Sequence, residues 1–97
     1  DLRKNSKTFG KHVSVILSGN QNISFYIPPG FAHGFCALEE NTIMHYKCTN
    51  YRNAKSEVGI VWNDPKLKIN WPVKRPIISK KDKTNLSFKE YQKKFRL

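Results

Sequence analysis

Long apolar runs are missing from this 97-residue chain. Nothing approaches the ~20 consecutive apolar residues that span a bilayer as a helix, so no membrane partner is expected. Cysteine is scarce. Cys36 and Cys48 are the only two, too few for a disulfide framework and without the spacing of a zinc site. They read as reduced thiols of a cytoplasmic protein. His12, His33 and His45 lie far apart and form no His-x-His pair, which argues against a metal site of the two-His-plus-carboxylate kind. There is no Gly-x-Ser-x-Gly elbow and no glycine-rich phosphate loop leading into a helix. No cofactor is expected. The chain opens without Met or a signal-peptide apolar region and reads as a fragment, or the end, of a longer polypeptide.

Acidic residues are also few. Seven Asp and Glu stand against 18 Lys and Arg, for a net charge of +11. The imbalance is uneven: residues 74–97 hold nine basic and two acidic side chains (+7), leaving +4 for residues 1–73. A basic tail can serve nucleic acid, a membrane surface or a phosphate-bearing ligand, or be a solvated surface. Nucleic acid is not the expected partner here.

What is present is alternation. In "KHVSVILS" Val13, Val15 and Leu17 share one face of a strand and His12, Ser14 and Ile16 the other. "ISFYI" (23–27) alternates likewise, and Pro28-Pro29-Gly30 breaks it. "FAHGFCAL" resumes. "TIMHYKCT" (42–49) sets Thr42, Met44, Tyr46 and Cys48 on one face and Ile43, His45 and Lys47 on the other. "EVGIVW" (57–62) ends at Asn63-Asp64-Pro65. Short strands with turn signals about every ten residues describe an all-β antiparallel sandwich or barrel. The pattern changes after Trp71-Pro72. "SFKEYQKKF" predicts a terminal helix: Ser87 and Glu90 have capping-box spacing, and Phe88, Tyr91 and Phe95 form one stripe. The expected organisation is a β core over 1–73, with a basic loop and packing helix over 74–97.

The residues alone leave the chemistry open. His33, beside a glycine turn, and Tyr46, two elements later, could face one cavity as acid and base. A hydrogen-bonded structural histidine and a core tyrosine fit the same pattern. Lys47 neighbours Tyr46 on its strand, so it should point to the other face.

"IPPGFAHGF", "HYKCTNY", "GIVWNDPKLKINWP" and "PIISKKD", in that order, resemble the C-terminal half of the dTDP-4-dehydrorhamnose 3,5-epimerase family. The resemblance extends from residue 1 to about 85. It implies a cupin-type jelly roll, here partial, and a homodimer. The implied substrate is a dTDP-4-keto-6-deoxyhexose, epimerised at C3 and C5 on the way to dTDP-L-rhamnose. By resemblance Tyr46 is the catalytic acid, Asp82 pairs with the catalytic base, His33 lines the sugar site, Tyr51 is a wall of the pocket and Lys81 lies near the diphosphate. The base itself belongs to an upstream "RGLH" motif that this chain does not contain. His45, adjacent to Tyr46 and facing away from it, is not its replacement. "PPG" stands where the family more usually has "PEG". The alternative to an epimerase fragment, inactive or weak by itself, is a truncated homologue serving as a non-catalytic binding or assembly module.

Overall fold

A computed structural model describes residues 1–97. Its regular elements lie in the C-terminal half: a 3₁₀ turn at Ala54–Ser56, a single helical turn α1 at Lys80–Lys83, and helix α2 at Phe88–Phe95. One parallel bridge joins Ile60 to Leu86. The alternating segments before residue 53 carry no ladder, and most of their apolar side chains are exposed. Ile16 is 73 % exposed and Ile43 92 %.

The helix predicted from Ser87 and Glu90 is present. The Ser87 Oγ accepts the Glu90 N–H at 3.2 Å, and the Glu90 carboxylate accepts the Ser87 N–H at 2.7 Å. Two amides that the first turn leaves without helical partners are thereby satisfied. Lys93 and Lys94 occupy the last turn, where positive charge complements the helix dipole. Arg96 then closes the helix in the left-handed conformation.

The packed centre of the molecule forms around α2. Phe88 is its one buried apolar residue. The Phe9 ring lies against it, centroids 5.7 Å apart. Tyr91 stacks on Phe95 at 4.6 Å, as the predicted stripe requires. Beneath the helix runs the "WNDP" turn. Asp64, also buried, accepts the Lys66 N–H with one carboxylate oxygen and the Phe88 N–H with the other. Trp71 Nε1 donates to the Trp62 carbonyl at 2.7 Å and the two indoles meet edge to face, so the second tryptophan folds back on the first.

The N-terminal loop is tied to the same side. Asp1, its side chain 2 % exposed, accepts from the Arg3 backbone N–H and guanidinium and from the Ser6 and Thr8 hydroxyls. Leu2 N–H donates to the Gly30 carbonyl at 2.9 Å, and the Arg3 guanidinium stacks over Phe31. Gly30 has φ +88°. The Pro-Pro-Gly turn therefore uses the conformation that glycine adopts without a Cβ penalty. No helix is long and apolar enough to cross a membrane.

Candidate functional site

A carboxylate organises the region that the sequence singles out. Glu57 leaves the 3₁₀ turn as its C-terminal flanking residue. The turn is started by Asn53, whose side chain accepts the Lys55 N–H at 3.1 Å. This short turn brings Arg52 back toward Glu57, and Arg52 Nε donates to Oε1 at 2.5 Å. From the other side Lys81, in α1, donates its ammonium to Oε2. Ser79 caps α1 by accepting the Asp82 N–H at 3.2 Å.

Backbone pairing beside the carboxylate holds the two segments in register. Leu86 N–H donates to the Gly59 carbonyl and Val61 N–H to the Leu86 carbonyl. A Cβ at Gly59 would lie 2.5 Å from the Asn85 amide group, so a larger residue there requires that side chain to shift. Asn85 in turn donates to the Asp82 carboxylate at 3.3 Å.

The electrostatics follow from these contacts. Hydrogen bonds from Arg52 first, and from Lys81 second, pull Glu57 down to about 2, against the opposing effect of desolvation. The hydrogen bond to Glu57 raises Arg52, with smaller contributions that include the nearby Tyr46 phenol.

Of the residues singled out by sequence, Lys81 bonds to Glu57 and Asp82 accepts from Asn85, whereas Tyr46 makes no hydrogen bond to this group. Tyr46 is exposed, as are Lys81 and Asp82. Tyr51 is fully exposed and makes none of the cluster's hydrogen bonds. His33 is exposed on the segment whose Gly34 lies against Trp71, and it too makes none of them. Neither principal cleft includes any of these five side chains: one, of about 400 Å³, lies between Trp62 and Trp71, and the other is lined by Leu2, Gly30, Phe31, Tyr91, Phe95 and Leu97. Cys36 and Cys48 are both free thiols, and no three His, Cys, Asp or Glu side chains converge as a metal-ligand set.

Sequence reading missed Arg52, Glu57 and Asn85. The opposite charges of Arg52 and Glu57 flanking an Asn-initiated turn were a local signal for the first pair. Nothing local marks the contact of Glu57 with a lysine 24 residues away.

Comparison with known proteins shows the family to which the chain belongs. The dTDP-4-dehydrorhamnose 3,5-epimerase family model matches residues 1–90, and the chain belongs to that family. It is 46 % identical over 82 residues to the dTDP-4-dehydrorhamnose 3,5-epimerase of Shigella flexneri, covering 84 % of this chain and 45 % of that protein. To the enzyme of the same name from Methanothermobacter thermautotrophicus it is 46 % identical over 86 residues, covering 86 % of this chain and 46 % of that protein. With the Escherichia coli K12 enzyme it shares 47 % identity over 72 residues, 74 % of this chain and 39 % of that protein. The chain thus spans about half the length, or less, of these curated relatives. No solved structure gives a significant match.

Proposed function

We propose that the full-length protein to which this chain belongs is a dTDP-4-dehydrorhamnose 3,5-epimerase. Its substrate is a dTDP-linked 4-keto-6-deoxyhexose. The C4 ketone acidifies the C–H bonds at C3 and C5. A base removes such a proton, the resulting enolate is held by hydrogen-bond donors, and an acid returns a proton on the opposite face. Tyr46 is assigned as that acid. The base comes from the upstream half of the protein, and Asp82 orients it. His33 and Tyr51 border the sugar, and Lys81 neutralises charge on the diphosphate. The observation that carries this reading is the family match over residues 1–90, which includes every one of these positions.

The fold that goes with this function is a cupin-type jelly roll, with strands in the alternating segments over 1–73. The exposed apolar side chains support this assignment. Val13, Ile16, Phe35 and Ile43 are each more than half exposed, and a water-facing apolar surface of that extent calls for a cover. Strand edges also pair readily with another chain. In the full-length protein the upstream strands supply one cover and a second subunit the other, giving a homodimer. Nucleotide-sugar chemistry of this kind places the protein in the cytoplasm.

Deuterium incorporation at C3 and C5 of the keto-sugar, followed by NMR in D₂O, tests the assignment. The full-length protein is expected to incorporate deuterium, with Tyr46→Phe slowing the reaction roughly a hundredfold or more, the usual weight of a general acid. The 97-residue chain alone is expected to be nearly inert. Absence of exchange in the full-length protein overturns the reading, and full-rate exchange by the short chain overturns the need for an upstream base.

A further inference from the structure

Asn85 sits half-buried where two segments of the chain meet. Its backbone is held by the residue that follows. Leu86 N–H donates to the Gly59 carbonyl at 3.2 Å, and the Leu86 carbonyl accepts the Val61 N–H at 2.8 Å. These bonds accompany the parallel bridge between Ile60 and Leu86. The side chain is held against the facing glycine. Cγ, Nδ2 and Oδ1 of Asn85 each lie 2.5 Å from where a Cβ at position 59 would stand. The amide thus occupies space that any other residue at 59 would need.

From that seat the amide reaches Asp82. Asn85 Nδ2 donates to Asp82 Oδ1 at 3.3 Å. An ionised carboxylate only accepts, so the NH₂ end of the amide is the end that suits it. Asp82 itself lies exposed on α1, a four-residue turn with no buried residue. Packing therefore does not fix its side chain. The Asp82 backbone N–H is tied to Ser79 Oγ, which leaves the side-chain torsions as the remaining freedom. One donor on Oδ1 selects among their rotamers and leaves Oδ2 open for a partner.

Resting on the epimerase reading above, in which Asp82 orients the base, we infer that Asn85 is a positioning residue for Asp82 and that the missing side chain of Gly59 seats its amide. Asn85 does not touch the substrate. It acts through Asp82, by fixing the carboxylate before the base meets it. Catalytic groups work only when held close to the productive geometry, and a supporting hydrogen bond is what holds an exposed carboxylate there. The order of dependence runs from Gly59 to Asn85 to Asp82 to the base.

The test uses the full-length protein, with turnover of the keto-sugar and deuterium incorporation at C3 and C5 as readouts. Asn85→Ala is expected to lower kcat roughly tenfold, the weight of one hydrogen bond to a charged group. KM should stay near the wild-type value, since the substrate loses no contact. Asn85→Asp keeps the shape of the amide but replaces the donor with an acceptor, and should lose at least as much. Gly59→Ala, which displaces the amide, should change kcat in the same direction. The decisive measurement is a double-mutant cycle. In an Asp82→Ala background, Asn85→Ala should cause no further loss, because no carboxylate remains to be oriented. A merely structural asparagine would lower both backgrounds alike. Should Asn85→Ala unfold, Asn85→Asp fills the same space and carries the cycle in its place. Additive losses overturn the inference, and so does a wild-type kcat in either Asn85 variant. The two readings separate. An active wild type with additive losses sinks the positioning role alone. A wild type that exchanges no deuterium sinks the epimerase assignment, and this role with it.

Discussion

The Asp64 carboxylate reaches 24 residues along the chain to accept the Phe88 N–H at 2.8 Å. Its other oxygen accepts the Lys66 N–H at 2.9 Å. One buried acid therefore closes the "WNDP" turn and satisfies the first amide of α2. Asp64→Ala leaves both amides without that acceptor in a site where water replaces it poorly. The expected loss is about 2–3 kcal/mol, the weight of hydrogen bonds to a charged group. Asp64→Asn, which keeps one carbonyl oxygen, should lose about half as much. Urea unfolding followed by tryptophan fluorescence reads the difference as a lower midpoint at constant slope. Equal losses for the two variants would remove the carboxylate's double role.

The capping box makes a second prediction. Ser87→Ala removes the acceptor for the Glu90 N–H and is expected to cost about 1 kcal/mol, the usual value of an N-cap. Glu90 is held below its ordinary 4.5, first by the hydrogen bond with the Ser87 side chain and then by the one from its backbone. A depressed carboxylate stabilises the fold above its unfolded pKa and loses that contribution as pH falls through the folded value. Helical circular dichroism should therefore decline in acid for the wild-type chain. In Ser87→Ala the same decline should begin at higher pH.

Glu57 makes the third, with a defined window. Its pKa falls from 4.5 to about 2. The bridge to Arg52 and Lys81 is fully present above pH 4.5 and is lost as pH drops toward about 2. Thermal unfolding measured across that interval should show a pH dependence that Glu57→Gln lacks, with the two proteins converging at the acid end. Added salt should flatten the wild-type dependence, because the cations are exposed. A wild-type profile that matches Glu57→Gln throughout would show that the bridge is not formed in solution.

Gly30 makes the fourth. Its φ of +88° is unfavourable for any residue with a Cβ, and a Cβ there would lie 2.7 Å from Arg3 Cγ. Gly30→Ala should cost about 1–2 kcal/mol, the backbone penalty of the left-handed region. The arginine side chain can move aside, so the steric part is small. Proteolysis should then cut first in the N-terminal loop, because the Leu2–Gly30 hydrogen bond is the tie that the substitution strains. Unchanged cleavage would mean that the loop is held by Asp1 alone.

Features decided over three or four residues were readable in advance. Ser87 and Glu90 lie one helical turn apart, and the box they were expected to make is present. Phe88, Tyr91 and Phe95 fall on one stripe because an α-helix repeats every 3.6 residues. Pro-Pro-Gly announced a turn, and its glycine has the positive φ such turns use. The family, too, was legible in the order of its motifs, which the match over residues 1–90 shows. The alternation of residues 11–49 predicts which side chains share a strand face. It could not say what covers that face, since a strand's partner is not encoded in its own period.

The remaining relationships belong to the folded chain alone. Asp64 with Phe88 and Glu57 with Lys81 each close a loop of 24 residues, and Phe9 meets Phe88 across most of the molecule. Closing such loops carries an entropic cost that no local pattern offsets, so many pairings of the same residue types compete until packing selects among them. The phenol, the carboxylates and the basic residues were visible as chemistry along the sequence. That Lys81 shares Glu57 with Arg52 was decided when the Gly59 segment came to lie beside Asn85 and Leu86, where a Cβ at position 59 would press on the Asn85 amide.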